Sequence, residues 1–127
     1  MIMIGNKLLD FHKAFSCSVG STNFNKPELV ELRRRLIKEE FNEVMIALDS
    51  QDRENLLKEL CDLVYVVVGT AVAFGLNFDE AFRRVHESNM SKLGADGKPI
   101  YREDGKVLKG PNYQPVNLKD LVTDGLV

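Results

Sequence analysis

The stretch LVELRRRLIKEEFNEVMIAL, residues 29–48, decides the fold of this chain. Its apolar residues recur with the period of about 3.6 residues that is typical of an amphipathic helix. Pro27 suits the first turn of such a helix, where a missing N–H does no harm. We therefore predict a helix from Pro27 to about Leu48. Its apolar stripe consists of Leu29, Leu32, Leu36, Ile37, Val44 and Leu48.

Acidic side chains interrupt this stripe. On a helical wheel at about 100° per residue, Glu40 lies about 20° and Glu43 about 40° from Leu29, inside the apolar arc. Glu39 lies at the edge of the arc. A solvated acidic face would lie on the opposite side of the helix, so these carboxylates are predicted to face the protein interior.

Three further helices are predicted from the same periodicity and from their end signals. The first covers residues 7–15. The next covers residues 52–74, with Asp49 or Ser50 as its N-terminal cap and Gly75 as its stop. The last begins with a capping box of Asn77 and Glu80 and runs to residue 93, before Gly94. Residues 16–25 are interpreted as a loop. Residues 100–109 are predicted to form a small hairpin with a two-residue turn at Asp104-Gly105.

The third predicted helix contains two more misplaced acids. Glu59 falls between Leu63 and Val66 on its wheel, and Asp62, three residues further on, points the same way. Burying several carboxylates together costs several kcal/mol for each unpaired charge. Divalent cations accept oxygen ligands and would offset that cost. The alternative is a solvated acidic face whose carboxylates pair with the basic run of residues 33–38. This alternative is less attractive because acids interrupt the apolar stripe on two separate helices.

The fourth predicted helix carries Asn89 and Lys92 inside its apolar arc. A buried amide and a buried ammonium facing the carboxylates would suit a phosphate chain. The alternative for Lys92 is a side chain that snorkels from a frayed helix end.

The fold class predicted from these elements is all-α, a four-helix bundle in one domain over residues 1–127. Residues 7–93 are helical in this prediction, and residues 94–127 form an irregular tail rich in Gly and Pro. The second half of the third helix is apolar nearly all round and needs cover on every side. We therefore expect oligomerisation to complete the bundle, as a homodimer or homotetramer.

Composition narrows the function classes. The 127 residues carry a net charge of −2 and show no basic stripe, which argues against a nucleic-acid partner. The longest apolar run is shorter than the ~20 residues that cross a bilayer, so no membrane partner is expected. We find no secretory leader and expect a cytoplasmic protein, with Cys17 a reduced thiol and Cys61 a reduced and buried one.

The acidic pattern also matches a known family. Glu39-Glu40-x-x-Glu43 followed by Glu59-x-x-Asp62 resembles the paired EExxE and ExxD signature of the MazG-like all-α pyrophosphohydrolases. Asn89-x-x-Lys92 resembles a further element of that family. The segments Asp96-Gly97-Lys98 and Lys109-Gly110-Pro111 look like the C-terminal tail of the family. The resemblance is closest to its phosphoribosyl-ATP pyrophosphohydrolase-like group with MazG-type dUTPase activity, which Asp10-Phe11-His12 also resembles.

The resemblance implies a magnesium-dependent nucleoside triphosphate diphosphatase that releases pyrophosphate and a nucleoside monophosphate, with dUTP or another pyrimidine deoxynucleotide as the expected substrate. It assigns Glu39 as the general base. The metal ligands would be Glu40, Glu43, Glu59 and Asp62, holding two or three Mg²⁺ ions, with Mn²⁺ as a substitute. The phosphate-binding residues would be Asn89, Lys92 and Lys109. Phe11 and His12 would form one wall of a base pocket, although Phe11 also fits ordinary core packing and His12 a surface position.

Three alternatives stay open at this point. The same carboxylates would serve phosphoribosyl-ATP pyrophosphohydrolase of histidine synthesis with a different pocket. A non-catalytic interaction bundle that keeps the metal site is a second alternative. A di-iron carboxylate bundle is a third, but it requires Glu-x-x-His pairs, and the sequence has none.

Overall fold

A computed structural model of the chain describes residues 3–122. Four α-helices follow in order: α1 (Ile4–Ala14), α2 (Pro27–Ser50), α3 (Arg53–Ala73) and α4 (Phe78–Met90). Short 3₁₀ helices cover Ser21–Asn25 and Lys119–Leu121. Over these residues no β-strand forms, and an isolated antiparallel bridge joins Tyr101 to Val107. The all-α fold class is confirmed.

The chain divides into two compact units, Met1–Phe78 and Asp79–Val127. The first unit holds α1, α2 and α3, and the second holds most of α4 with the tail. A single domain, a four-helix bundle and an oligomer therefore stay predictions.

In the first unit, α2 and α3 form an antiparallel helical hairpin, since only Gln51 and Asp52 separate them. Gln51 makes the reversal in the left-handed region at φ 58°, and the Asp52 side chain accepts a hydrogen bond from the Asn55 N–H at 3.0 Å. The predicted cap at Asp49 or Ser50 is wrong. Ser50 is the last residue of α2, where its hydroxyl donates to the Ala47 carbonyl at 2.7 Å.

The end of α3 confirms the predicted stop at Gly75. This residue has φ +69°, its N–H donates to the Val72 carbonyl at 3.0 Å, and the Leu76 N–H donates to the Ala71 carbonyl at 2.9 Å. This hydrogen-bond pair is the Schellman arrangement, which needs a left-handed residue and so favours glycine.

α1 packs on α3, and the small core between them contains Leu8, Val68 and Val72. α1 begins three residues before the predicted start at Lys7. The predicted loop that follows contains a 3₁₀ turn, because the buried Asn23 donates its side-chain amide to the Ala73 carbonyl at 2.9 Å.

In the second unit, α4 ends at Met90, so the predicted extension to Leu93 is wrong and Lys92 lies beyond the helix. Contacts with the tail explain the early end. The Ser91 hydroxyl donates to the Ser88 carbonyl at 2.6 Å and accepts from the Gln114 N–H at 2.8 Å. Such side-chain bonds compete with continuation of a helix.

The tail contains the predicted hairpin, but its turn has three residues rather than two. The Arg102 N–H donates to the Lys106 carbonyl at 2.8 Å, and Gly105 occupies the left-handed region at φ +87°. The Asp104 carboxylate accepts the Lys106 N–H at 3.1 Å and thereby favours the longer turn. Apart from this hairpin and the short 3₁₀ helix Lys119–Leu121, the tail is irregular over the described residues, as predicted. The loose chain end expected after residue 122 lies outside them.

Burial corrects two further predictions. Leu48 was placed in the apolar stripe of α2 but is 53% exposed, and Cys61 was expected to be buried but is exposed. Both cysteines are free thiols, as expected. Among residues 3–122 no single helix has the length and apolarity to cross a membrane; α3 and α4 pass that test only when taken together across the break between them.

Candidate metal centre

The antiparallel pairing of α2 and α3 brings three carboxylates together. One oxygen from each of Glu40, Glu59 and Asp62 lies within 4.8 Å of the others. Glu59 is 8% exposed, and the other two are half-buried. The convergence of acids from two helices, inferred from the wheels, is therefore present in the structure.

All five predicted acids line one cavity of about 360 Å³ that opens to solvent: Glu39, Glu40, Glu43, Glu59 and Asp62. Glu39 and Glu43 are exposed and stand outside the tight group of three. The wheel placed Glu43 inside a buried stripe, which is wrong. Burial on this part of α2 is carried by Val44 and Ala47, and Glu43 borders the open side of the cavity instead.

The electrostatics of the cavity disfavour a full set of charges. Burial raises the pKa of Glu40 above its ordinary value, and the neighbouring carboxylates of Asp62 and Glu59 raise it further. A bound cation would remove both causes, because it would compensate the lost hydration and offset the mutual repulsion.

Lys58 is a cavity residue that the sequence reasoning missed. Its ammonium lies 2.8 Å from Asp62 and 3.6 Å from Glu59, and the hydrogen bond to Asp62 raises the pKa of Lys58. The four-residue spacing of Lys58 and Asp62 on one helix was a readable signal. The lysine is exposed at its head, so it can turn away when another cation enters.

The basic run on α2 does not neutralise this cluster in the described part of the chain. Arg34 pairs with Glu31 at 3.1 Å, and Arg33 is directed at the backbone of α3 instead. The ion-pair partner of Glu59 and Asp62 is Lys58. A donor set made only of carboxylate oxygens at this spacing fits a hard divalent cation, with Glu40, Glu59 and Asp62 as the residues that could hold it.

The predicted base-pocket residues lie on α1. Phe11 is 36% exposed, and its ring centroid lies 4.5 Å from that of Phe15 and 5.2 Å from that of Tyr65 on α3. Tyr65 follows Asp62 by three residues and lies on a neighbouring position of the same helix. These three rings form an aromatic group between α1 and α3, and base binding by Phe11 stays a prediction.

His12 is not a surface residue, since it is only 3% exposed. Its Nδ1 has no hydrogen-bond partner among the described residues. Burial lowers the pKa of His12, and the nearby Arg33 lowers it further. Both effects favour the neutral form of the imidazole.

The predicted phosphate-binding residues belong to the second unit. Asn89 is exposed in the last turn of α4, and Lys92 lies in the turn that follows. The Lys109 ammonium lies 4.9 Å from the centroid of the Tyr113 ring, a cation–π contact. Phosphate binding by these three residues stays a prediction.

Comparison with known proteins agrees with this site. The sequence matches the family described as "Phosphoribosyl-ATP pyrophosphohydrolase" over residues 8–89, a range that holds all five acids. The chain belongs to this family, and its likeness to the MazG-like all-α pyrophosphohydrolases is confirmed. The description of the family names a pyrophosphohydrolase, a hydrolase acting on acid anhydrides, and the family typically depends on divalent metal.

A relative of viral origin also matches. The chain is 31% identical over 102 residues to an uncharacterized protein of Acanthamoeba polyphaga mimivirus, a match that covers 77% of this chain and 38% of that protein. The chain thus spans well under half the length of this relative.

Proposed function

We propose that this protein is a magnesium-dependent nucleoside triphosphate pyrophosphohydrolase, a nucleoside triphosphate diphosphatase. The observation that carries the proposal is the convergence of Glu40, Glu59 and Asp62 from two helices of a chain in a pyrophosphohydrolase family. Burial and the neighbouring carboxylates raise the pKa of Glu40, so the ionised cluster costs free energy that a bound cation would offset, which supports metal binding. Mn²⁺ is the expected substitute for Mg²⁺, because both accept carboxylate oxygens.

In this proposal Glu40, Glu43, Glu59 and Asp62 hold two or three ions. When bound, the metal supplies polarisation of the α-phosphoryl oxygens and neutralises the triphosphate. Glu39 accepts a proton from a water molecule that attacks the α-phosphorus, and its exposed position on the cavity suits contact with solvent. The bond from the α-phosphorus to the bridging oxygen breaks, and pyrophosphate leaves with the monophosphate as the other product.

For the remaining substrate groups we propose Asn89, Lys92 and Lys109 as phosphate ligands. Phe11 offers an exposed ring in the aromatic group for stacking on a base. His12 is too buried to present its ring to a ligand in this structure, so it supports Phe11, whose ring centroid lies 6.2 Å away. A pyrimidine deoxynucleotide such as dUTP is the proposed substrate.

Phosphoribosyl-ATP is the second candidate substrate, because hydrolysis of this compound is the activity that names the family. A third reading, a metal-binding interaction module without catalysis, shares the acidic cluster but predicts no turnover.

A substrate panel tests the proposal. The purified protein is incubated with Mg²⁺ and each of the common nucleoside triphosphates, their deoxy forms and phosphoribosyl-ATP, and the products are separated by chromatography. We expect equal amounts of monophosphate and pyrophosphate, with dUTP or dCTP turned over fastest. Glu40→Gln and a chelator each serve as matched controls that abolish release. Turnover of phosphoribosyl-ATP alone would select the second candidate, and hydrolysis that persists in chelator would exclude the metal mechanism.

A further inference from the structure

Arg33 is a half-buried cation in the second turn of α2, and its hydrogen bonds go to α3 and not to the acidic cluster. Its Nε donates to the Thr70 hydroxyl at 3.0 Å, and its Nη2 donates to the Val66 carbonyl at 2.9 Å. The Thr70 hydroxyl donates to the same carbonyl at 2.7 Å. One guanidinium thus donates two hydrogen bonds to a single turn of α3. None of the ion pairs among the described residues includes Arg33.

Retaining this cation has a cost. Burial lowers the pKa of Arg33, which shows that its charge is partly desolvated. Two neutral oxygens compensate less well than a carboxylate would. An apolar residue at this position would pack on α3 without that cost, so the directional hydrogen bonds of Arg33 are the feature that needs an explanation.

Gly69 leaves room for the Arg33 guanidinium to reach the backbone of α3. A Cβ atom at this residue would lie 2.8 Å from Arg33 Nη2 and 3.3 Å from His12 Nε2. The missing side chain leaves the space in which the guanidinium reaches the backbone of α3. Three helices therefore meet here, with His12 from α1, Arg33 from α2 and Gly69 from α3.

The Arg33 contact lies at a fixed distance along the helices from the carboxylate cluster. Arg33 precedes Glu40 by seven residues on α2, and Val66 follows Glu59 by seven on α3. In an antiparallel pair both separations correspond to two helical turns, about 10 Å along the axis. The Arg33 contact and the carboxylate cluster are thus two contacts between the same pair of helices, two turns apart.

Where the carboxylates meet, Glu40 of α2 faces Glu59 and Asp62 of α3, and their like charge disfavours close approach of the two helices in spite of the Lys58 ammonium. The charged groups that shift the pKa of Glu40 are Asp62, Glu59, Lys58 and Glu43, and Arg33 is not one of them. Any influence of Arg33 on the cluster would therefore pass through the placement of α2 on α3 and not through its charge.

We propose that Arg33 is a positioning residue, which fixes the register of α2 on α3 through Val66 and Thr70 and thereby holds Glu40 at metal-binding distance from Glu59 and Asp62. This inference rests on the proposed metal site. Loss of these hydrogen bonds would remove no carboxylate from the chain but would let α2 and α3 slide and separate, so that Glu40 moves away from Glu59 and Asp62.

The test measures metal affinity of the full-length protein by titration calorimetry with Mn²⁺. Arg33→Met keeps the aliphatic stem and removes both hydrogen bonds. We expect helical content to be unchanged and the affinity to fall about 10- to 100-fold, the range found when groups that orient metal ligands are removed. Arg33→Lys should recover part of the loss. Arg34→Met is the matched control and should bind Mn²⁺ as the wild type does. Arg34 is an exposed neighbour of Arg33 whose ion-pair partner is Glu31.

A kinetic measurement separates positioning from a general loss of structure. In Arg33→Met, the Mg²⁺ concentration for half-maximal hydrolysis should rise, and saturating Mg²⁺ should restore much of kcat. If Arg33→Met does not fold, Thr70→Val decides, because it removes one acceptor and should weaken Mn²⁺ binding in the same direction. Wild-type affinity in the folded variant would overturn the positioning role while leaving the metal site intact. Absence of Mn²⁺ binding to the wild type would instead overturn the proposed function and this inference with it.

Discussion

Glu39 and Glu40 are neighbours in the sequence but have different environments. Glu40 is half-buried against Glu59 and Asp62 and has a raised pKa, whereas Glu39 is exposed at the cavity. Consecutive helix residues point about 100° apart, which allows one to hold metal while the other meets water. This division underlies the roles proposed for the two residues.

Glu39→Gln should separate binding from turnover. The amide cannot accept the proton of the attacking water, so we expect kcat to fall about 10²- to 10⁴-fold. Mn²⁺ affinity should stay close to that of the wild type, because Glu39 stands outside the tight carboxylate group. Steady-state kinetics and calorimetry on the same preparation measure both quantities. An unchanged rate would remove Glu39 as the base.

Sequence reasoning at the residue scale succeeded where a local period carried the signal. The convergence of Glu40 with Glu59 and Asp62 follows from two wheels and a short connection. It failed at His12, since a helical period alone does not show that Arg33 and Gly69 from other helices close over this imidazole. Contacts between elements distant in the chain are not encoded in any one stretch.

At the scale of the elements, α2 and α3 match their predicted bounds within two residues. Their starts and stops depend on local chemistry, such as Pro27 and the Schellman end at Gly75. The end of α4 was missed because the tail binds it: the Ser88 hydroxyl donates to the Gln114 carbonyl at 2.7 Å, and the Gly110 N–H donates to the Lys92 carbonyl at 2.8 Å. Gln114 lies 26 residues after Ser88 and Gly110 lies 18 residues after Lys92, beyond the reach of capping rules.

The docking of α1 on α3 should depend on pH through His12. Its folded-state pKa is lowered, so between the unfolded value of about 6.5 and the lower folded value only the unfolded chain gains a proton. Stability conferred by the neutral imidazole is present above that window and is lost as pH falls through it, with a slope of at most about 1.4 kcal/mol per pH unit.

Denaturant unfolding of the metal-free protein at several pH values between about 7 and 5 measures this effect. His12→Gln should flatten the loss of stability on acidification, whereas His86→Gln, at an exposed histidine of α4, should keep the wild-type slope. Equal slopes in all three proteins would contradict the neutral, buried state of His12.

At the scale of the whole molecule, the α2–α3 hairpin leaves large apolar side chains exposed. Its most exposed large side chains are Phe41, Ile46, Leu48, Leu57 and Val64, all at least 45% accessible. Large apolar side chains left exposed where they adjoin one another are typical of subunit contacts. We therefore propose that a second copy covers exposed apolar side chains of this hairpin, as the apolar second half of α3 already predicted from the sequence.

Ile46→Glu and Leu57→Glu should each weaken self-association. Charges buried at an apolar contact cost about 2 kcal/mol or more, so the dissociation constant should rise at least tenfold. Analytical ultracentrifugation over a concentration series gives this constant. Val107→Glu changes an exposed apolar residue of the tail hairpin and should leave it unchanged. A wild-type protein that sediments as a monomer at all concentrations would contradict the proposed subunit contact.

Metal binding by wild type and Glu40→Gln, compared by Mn²⁺ titration, tests the central claim most directly. The wild type should bind Mn²⁺ and gain thermal stability from it. Glu40→Gln should lose at least about tenfold in affinity, in line with the loss of one charged ligand. Without metal the variant should unfold at the same temperature or higher, since it removes a partly buried charge from a repulsive cluster. Equal Mn²⁺ affinity in the two proteins, or no binding by either, would contradict a metal site built by the carboxylates of α2 and α3.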